Sequence, residues 1–328
     1  MTSTAGQSRK PVDNARNAMV PATSAAMAPS SISHPTRASL DVSRVTPRTP
    51  NACGVTLLAR GRDTADVRLT FLGHSTVRVE IGGRVVLTDP LLTGRVGPLR
   101  RIGPCPDRAA YADVDLVLIS HLHGDHLHLP SLRLLPSSAR VVVPRGAGAW
   151  LRARGVRGVE ELAADEELVD GGLRVFGVPA EHSGHRFGPR STAGPQARAM
   201  GHLLEADGRR VYAAGDTDLF DGMAAFGPLD VALLPVWGWG PSLGPGHLNP
   251  ARAAVAVDRL RPRVVVPVHW GSLAVAGLTA VPGGPGARMR RMLVHPPRVF
   301  AATVAAGGSG THVAVTEPGA PVLLPVAP

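Results

Sequence analysis

The run SHLHGDH carries three histidines and one aspartate within six residues, namely His121, His123, Asp125 and His126. It directly follows VDLVLIS (114–120), an apolar segment whose β-branched residues predict a buried strand. Imidazole and carboxylate groups are common zinc ligands. Four such side chains within six residues are seldom needed for folding alone. The spacing therefore predicts a metal site at the carboxyl end of this strand.

Three further ligand-type residues follow predicted strands elsewhere. His182 follows LRVFGVPA, Asp216 follows RRVYAAG, and His269 follows RVVVPV. Ligands bind at the carboxyl ends of strands in open α/β sheets, so these side chains are expected beside the first group. A single buried histidine is more often a hydrogen-bonded core residue than a ligand, and His185 competes with His182 for the role. The joint pattern is what indicates a binuclear metal site.

The spacing also divides the ligands between two ions. Residues two apart in an extended segment project to the same side, so His121 and His123 can bind one ion together. Gly124 lets the backbone turn, and the next two ligands can then face a second ion, with Asp216 placed to bridge both. Two zinc ions suit such imidazole-rich sites best, with manganese or iron also accepted. The two predicted ligand sets are His121, His123, His182 and Asp216, and Asp125, His126, His269 and Asp216.

Five segments resemble, in order, the five motifs of the metallo-β-lactamase superfamily: TDP (88–90), HLHGDH (121–126), AEHSGH (180–185), AGDTD (214–218) and VHWGS (268–272). FLGHST (71–76) and LLPV look specifically like the branch that contains N-acyl-phosphatidylethanolamine phospholipase D and the ascorbate-phosphate lactonase. The resemblance implies an αββα sandwich, two zinc ions and hydrolysis by a metal-bound hydroxide.

The resemblance also suggests roles for residues outside the ligand sets. Asp89 resembles the acid that orients a ligand histidine. The alternative interpretation, that Asp89 only forms a turn before Pro90, is equally consistent with the sequence. His247 matches a histidine that precedes a helix in the phospholipase-like branch, so we expect it to contact substrate or protonate the leaving group, with a plain loop residue as the alternative. With Asp125, these two are the candidate catalytic residues. His74 is close to a predicted strand end and is a candidate to line the pocket, but a structural role is favoured. His128 is expected not to be a ligand.

The pattern of predicted elements indicates an α/β (α+β) fold. Strands come first in hairpins, with turns at Gly82-Gly83 and Asp207-Gly208, and later alternate with helices, one of them capped by Asn249. Residues 91–106 read as a loop, and a late helix is predicted to begin at 296. The plan fits an αββα sandwich of two mixed sheets with outer helices.

Composition predicts the domain boundaries and the classes of binding partner. We predict a disordered N-terminal extension at 1–64, a catalytic domain at 65–318 and a C-terminal tail at 319–328. The net charge is +10, but aromatic residues are 4% and no basic run is present, which disfavours nucleic acid. Two cysteines without a CxxC pair favour the cytoplasm, and no apolar run approaches the ~18–20 residues that span a bilayer.

The resulting hypothesis is a cytoplasmic binuclear hydrolase that uses a metal-bridging hydroxide on a small phosphodiester, phosphoester or lactone. An N-acyl-phosphatidylethanolamine-type phospholipase D is the alternative, and a nuclease is a weaker one. Stable membrane association is disfavoured because no basic amphipathic helix is visible. An oxygen-reducing di-iron protein is disfavoured because it is expected to carry glutamate at His123. A small molecule is the expected partner, and homo-oligomerisation is left open.

Overall fold

The structure is a computed structural model, and it describes residues 67–188, 191, 193–238, 240 and 243–324. The predicted extension at 1–64 lies outside the described residues, as do residues 325–328 of the predicted tail. Within the described ranges, no helix is both long and apolar enough to cross a membrane.

The described residues form seventeen strands and four α-helices. The strands are β1 (Arg68–Gly73), β2 (Thr76–Ile81), β3 (Arg84–Thr88), β4 (Arg95–Val96), β5 (Leu99–Arg101), β6 (Leu116–Leu118), β7 (Arg140–Pro144), β8 (Val159–Leu162), β9 (Glu167–Asp170), β10 (Leu173–Pro179), β11 (Met200–Ala206), β12 (Arg209–Ala213), β13 (Leu229–Pro235), β14 (Pro262–Val268), β15 (Leu273–Val275), β16 (His312–Val313) and β17 (Pro321–Val322). The helices are α1 (Leu129–Leu132), α2 (Gly148–Arg152), α3 (Pro250–Leu260) and α4 (Gly284–Gly307), with 3-10 turns at Arg108–Ala110, Asp221–Phe226 and Leu278–Ala280.

The strands are arranged in two large mixed sheets and one small one. The first sheet has the order β17-β1-β2-β3-β6-β7-β8, and the second has the order β16-β14-β13-β12-β11-β10-β9. Strands β3, β6, β7 and β8 are parallel in the first sheet, as are β12, β13, β14 and β16 in the second. The small sheet β15-β5-β4 is antiparallel. Strand β17, in the described part of the predicted tail, pairs with β1.

Side-chain alternation shows how the layers pack. Val86 and Leu118 of the first sheet join the core cluster that contains the inner residues of the second sheet. Val85 and Val117, one residue away along the same strands, lie in a separate cluster with Leu132 of α1. Successive strand residues point to opposite faces, so the central strands are buried on both sides, which explains their continuous apolar runs. The predicted fold of two mixed sheets with helices is confirmed.

Local predictions largely agree with the structure. The Gly82-Gly83 and Asp207-Gly208 turns join antiparallel pairs, β2–β3 and β11–β12. Asn249 caps α3, because its Oδ1 accepts a hydrogen bond from the Arg252 backbone N at 3.0 Å.

Two local predictions are wrong. The segment 91–106 is not a plain loop but contains the β4–β5 hairpin, because β5 pairs with β15, a partner remote in sequence. Helix α4 begins at Gly284, well before Pro296, and keeps Pro296 and Pro297 buried inside it. Proline normally favours a helix start, but tertiary packing of the preceding turn, including buried Leu293, overrides that preference here.

Candidate metal centre

The predicted ligands all follow the carboxyl ends of strands, and the fold brings those ends together. His121 follows β6 in the first sheet, whereas His182, Asp216 and His269 follow β10, β12 and β14 in the second. His121, Asp216 and His269 are each at most 4% exposed. The ligand-bearing segments therefore meet at one edge of the sandwich, with contributions from both sheets.

The first group of donor atoms consists of three imidazole nitrogens. His123 Nδ1 lies 3.0 Å from His121 Nε2 and 3.0 Å from His182 Nε2. Four ligands at 2.0–2.1 Å from a tetrahedral zinc ion are separated from one another by about 3.3 Å. The three nitrogens are close to that spacing and could hold one cation.

The second group lies next to the first. His126 Nε2 and His269 Nε2 are 3.1 Å apart, and Asp125 Oδ2 lies 4.0 Å and 3.8 Å from them, respectively. These three side chains could hold a second cation with one further ligand.

The Asp216 carboxylate lies between the two groups. Its Oδ2 is 3.4 Å from His126 Nε2 and 4.0 Å from both His121 Nε2 and His182 Nε2, while its Oδ1 is 3.3 Å from His269 Nε2. Oδ1 is buried and has no hydrogen-bond partner among the described residues. Gly215 makes this approach feasible, since a Cβ there would lie 2.3 Å from the Ser120 Cβ. One carboxylate can thus serve both groups.

In three histidine rings, a hydrogen bond at the nitrogen that faces away from the cluster determines which ring nitrogen carries the hydrogen. The Nδ1–H groups of His182 and His269 donate to the carbonyl oxygens of Gly246 and Trp237, both at 2.7 Å. A carbonyl oxygen only accepts, so Nδ1 carries the hydrogen and the Nε2 lone pair of the neutral ring faces the cluster. His182 and His269 thus each present an unprotonated nitrogen to the cluster, as cation binding requires.

Asp89 holds a third ring in the same way. Its Oδ2 accepts from His126 Nδ1 at 2.8 Å and from Ser120 Oγ at 2.7 Å, and its Oδ1 accepts from the Ser120 backbone N at 2.7 Å. Asp89 therefore contacts a ligand-type histidine from outside the donor groups, as the sequence predicts for an orienting acid. Its role stays a prediction.

Burial and mutual charge set the protonation of the cluster. Burial lowers the pKa of His123 to about 4 and that of His269 to about 3, so both rings are neutral at pH 7. Burial would raise the pKa of Asp216, but the imidazoles of His269 and His126 outweigh it and hold that pKa well below its usual value. Burial opposes charge on His126, but the carboxylates of Asp216 and Asp89 raise its pKa well above the usual value. The negative charge of the carboxylates thus stabilises positive charge in the cluster, and a bound cation would supply that charge.

His74 lies in the cluster, although the sequence favours a structural role for it over a place in the pocket. It is 1% exposed, and its Nε2 lies 3.2 Å from Asp125 Oδ2. Its φ is 59°, and its carbonyl oxygen accepts from the backbone N of His269, whose φ is 62°. Left-handed backbone at residues other than glycine is costly and concentrates at functional sites. Its position directly after β1 was the available signal, because β1 and β3 end at the same edge.

The remaining histidines take different places. His247 Nε2 lies 3.6 Å from Asp216 Oδ2, and its Nδ1 donates to the Pro245 carbonyl at 3.1 Å. His128 Nδ1 contacts Ser131 Oγ at 2.8 Å, and neither His128 nor His185 belongs to a metal-type group among the described residues. The structure thus brings His182 rather than His185 to the cluster and places His247 at its edge.

Sequence comparison agrees with this geometry. Residues 84–270 match the family described as the Beta-lactamase superfamily domain. The chain belongs to this superfamily. The match includes the segments that carry every predicted metal ligand.

Several relatives are similar to this superfamily member over about two thirds of the chain. A metal-dependent hydrolase of Symbiobacterium thermophilum is 32% identical over 216 residues, which cover 64% of this chain and 86% of the relative. An uncharacterised protein of Mycobacterium tuberculosis is 35% identical over 231 residues, but the match spans only 61% of that relative's length. The structure of Igni18, a metallo hydrolase from Ignicoccus hospitalis, is similar with a TM-score of 0.58 and 27% identity, covering 78% of this chain and 97% of the other.

A cavity of about 870 Å³ adjoins the donor groups of this β-lactamase superfamily domain. Its floor includes His123, Asp125, Asp216, His247 and His269. Its walls are mostly apolar and include Val96, Leu99, Leu129, Phe187 and Leu243. Arg186 is the only arginine or lysine among the described lining residues. A substrate in the cavity would therefore meet both the candidate ligands and apolar side chains.

Proposed function

We propose that this protein, a metal-dependent hydrolase by family, cleaves a small phosphodiester, phosphoester or lactone with two cations held at the donor groups. The observation that carries the proposal is the position of Asp216, whose two oxygens lie 3.3–3.4 Å from His269 Nε2 and His126 Nε2 and 4.0 Å from the first imidazole group. A shared carboxylate between two sets of imidazoles is the arrangement of a binuclear hydrolytic centre.

The two ligand sets keep the division made from the spacing. One cation would be held by His121, His123, His182 and Asp216, and the other by Asp125, His126, His269 and Asp216. Zinc suits these nitrogen-rich sets best, with manganese or iron as alternatives. When bound, two such cations supply a nucleophile from water near neutral pH and neutralise negative charge on the attacked group.

The side chains around the donor groups provide orientation and proton transfer. Asp89 holds the ring of His126 in place through its 2.8 Å contact with Nδ1. His247 lines the cavity, and its Nε2 lies 3.6 Å from Asp216 Oδ2, beside the donor groups. We assign protonation of the leaving group to His247, with water as the alternative donor.

Metal content tests the binuclear proposal directly. We expect close to two transition-metal ions per chain, because two ligand sets share one carboxylate. Elemental analysis of protein purified without chelator, and again after reconstitution with zinc, manganese or iron, measures this. A stoichiometry that stays near zero in every preparation would refute the proposal, and one that saturates near one would remove its binuclear part.

The apolar cavity walls favour a substrate with an apolar substituent over a highly charged one. We expect kcat/KM to rise roughly fourfold for each added methylene group that the cavity buries, tested with a series of alkyl-substituted lactones and nitrophenyl alkanoates. Leu243→Ala should flatten this dependence, whereas Val169→Ala should not, since Val169 is 59% exposed on β9 outside the cavity. A kcat/KM that stays flat or falls along the series would argue against an apolar substituent on the substrate.

The same apolar walls are the observation that favours the alternative, a phospholipase D that acts on N-acylated phosphatidylethanolamine. Rates of hydrolysis of dispersed phospholipid and of short lactones, measured at equal metal loading, distinguish the two candidate functions. A strong preference for the phospholipid would replace the proposed substrate class but keep the metal centre. The proposal retains a cytoplasmic location, a small-molecule partner and no stable contact with nucleic acid or membrane.

A further inference from the structure

Arg186 connects two ligand-bearing segments of the cluster. It lies between β10 and β11, four positions after His182 in the same segment. Its Nη1 donates to the carbonyl oxygens of Leu122 at 2.6 Å and Leu127 at 2.8 Å. These two carbonyls flank the run from His123 to His126, so one nitrogen spans both ends of the ligand loop.

The ligand loop is short and turns sharply between these carbonyls. The backbone N atoms of His126 and Leu127 both donate to the carbonyl oxygen of His123, at 3.2 and 2.9 Å. The side chains of Leu122 and Leu127 are fully buried at either end. The turn thus depends on its own backbone bonds, on these two anchors and on the guanidinium of Arg186.

The surroundings of Arg186 hold its guanidinium at the loop. It lies over the ring of Trp150 from α2, 5.4 Å from the centroid, and 5.9 Å from that of Phe187. Among the described residues, no carboxylate lies within ion-pair distance of it, and its hydrogen bonds go to backbone carbonyls, although the charge of Asp125 in the ligand loop also acts on it. Such an arrangement fixes geometry rather than neutralising an acid.

We propose that Arg186 is a positioning residue for the metal centre. By binding the Leu122 and Leu127 carbonyls from the segment that also carries His182, it sets the distance between His182 and the ligand loop. The contact between His182 Nε2 and His123 Nδ1, 3.0 Å long, crosses this junction. The inference rests on the proposed function only in requiring that the cluster binds cations.

Metal affinity of three variants tests this role. Arg186→Met should weaken zinc binding by roughly 10- to 100-fold, the range typical for residues that support ligands from behind. Arg186→Lys should restore most of the affinity, because a single nitrogen makes both contacts. Arg154→Met is the matched control, since Arg154 stacks on the same Trp150 ring at 3.8 Å but donates only to the Trp150 carbonyl. Zinc affinity is measured by competition with a chromophoric chelator, and the absorption spectrum of the cobalt-substituted protein reports ligand geometry.

The outcomes separate this inference from the proposed function. Failure of the parent protein to bind zinc or cobalt overturns both. If the parent binds and Arg186→Met keeps its affinity and cobalt spectrum, only the role of Arg186 is lost. Equal losses in Arg154→Met would trace the effect to Trp150 instead. Arg186→Gln replaces the methionine variant if that variant does not fold; if neither folds while Arg186→Lys behaves as parent, Arg186 serves folding and the inference is wrong.

Discussion

Replacing Asp216 with asparagine should abolish nearly all turnover and reduce bound metal in the same protein sample. An amide carries no charge, and the two carboxylate oxygens lie 3.3 Å from His269 Nε2 and 3.4 Å from His126 Nε2. Assistance by two metal ions is worth several kcal/mol, so we expect a loss of roughly 10³-fold or more in kcat/KM. Kinetics and elemental analysis of the same preparation measure both effects.

Asp218→Asn provides the matched control. Asp218 lies two residues further along the same segment, but its Oδ1 accepts from Arg252 Nε at 2.6 Å, away from the donor groups. We expect this variant to keep metal content and turnover. Full activity and full metal content in Asp216→Asn would remove Asp216 from the centre, and equal losses at Asp218 would point to general damage to the segment.

Replacing His247 with alanine should leave metal content intact and lower turnover by ~10²–10⁴ on substrates with poor leaving groups, the span of a positioned general acid. Its ring lies at the cavity floor, and its side chain is 24% exposed, so substrate can reach it. The loss should shrink for nitrophenolate leaving groups, because these depart without protonation. Steady-state kinetics on matched pairs of substrates measure the difference.

Three other results would assign His247 differently. Unchanged turnover on a poor leaving group would transfer protonation to water. Equal losses on both substrate types would make His247 a positioning residue, whose contribution is independent of leaving-group basicity. A fall in metal content would make it a ligand, which its 3.6 Å distance from Asp216 Oδ2 allows.

The sequence predicted that these histidines and aspartates lie close together, because each follows an apolar strand; their role as metal ligands stays a prediction. His121 and His123 lie two residues apart directly after β6, and Asp216 and His269 follow parallel strands of one sheet. Strand type and strand end are local properties, and the carboxyl ends of neighbouring parallel strands must meet. The grouping of these residues could therefore be inferred without coordinates.

Other features depend on contacts that the local sequence does not encode. His74 stands alone in its segment, and only the pairing of β1 with β2 brings it to Asp125. Strand β5 needs β15 as its partner, and helix α4 extends through Pro296 because its apolar side is buried against the fold. In each case tertiary packing, which has no short-range signature, decided the outcome.

The division of the metal ligands between the two sheets has a thermodynamic consequence. His123 and His182, whose ring nitrogens are 3.0 Å apart, are 59 positions apart in the chain, so an unfolded chain offers no comparable site. A cation that binds only the folded chain increases the free energy of unfolding. A free metal concentration 100 times the Kd adds about 2.7 kcal/mol. We therefore expect the stability of this protein to rise with its metal supply. During metal starvation, proteolysis of the unfolded chain would lower its abundance as well as its activity.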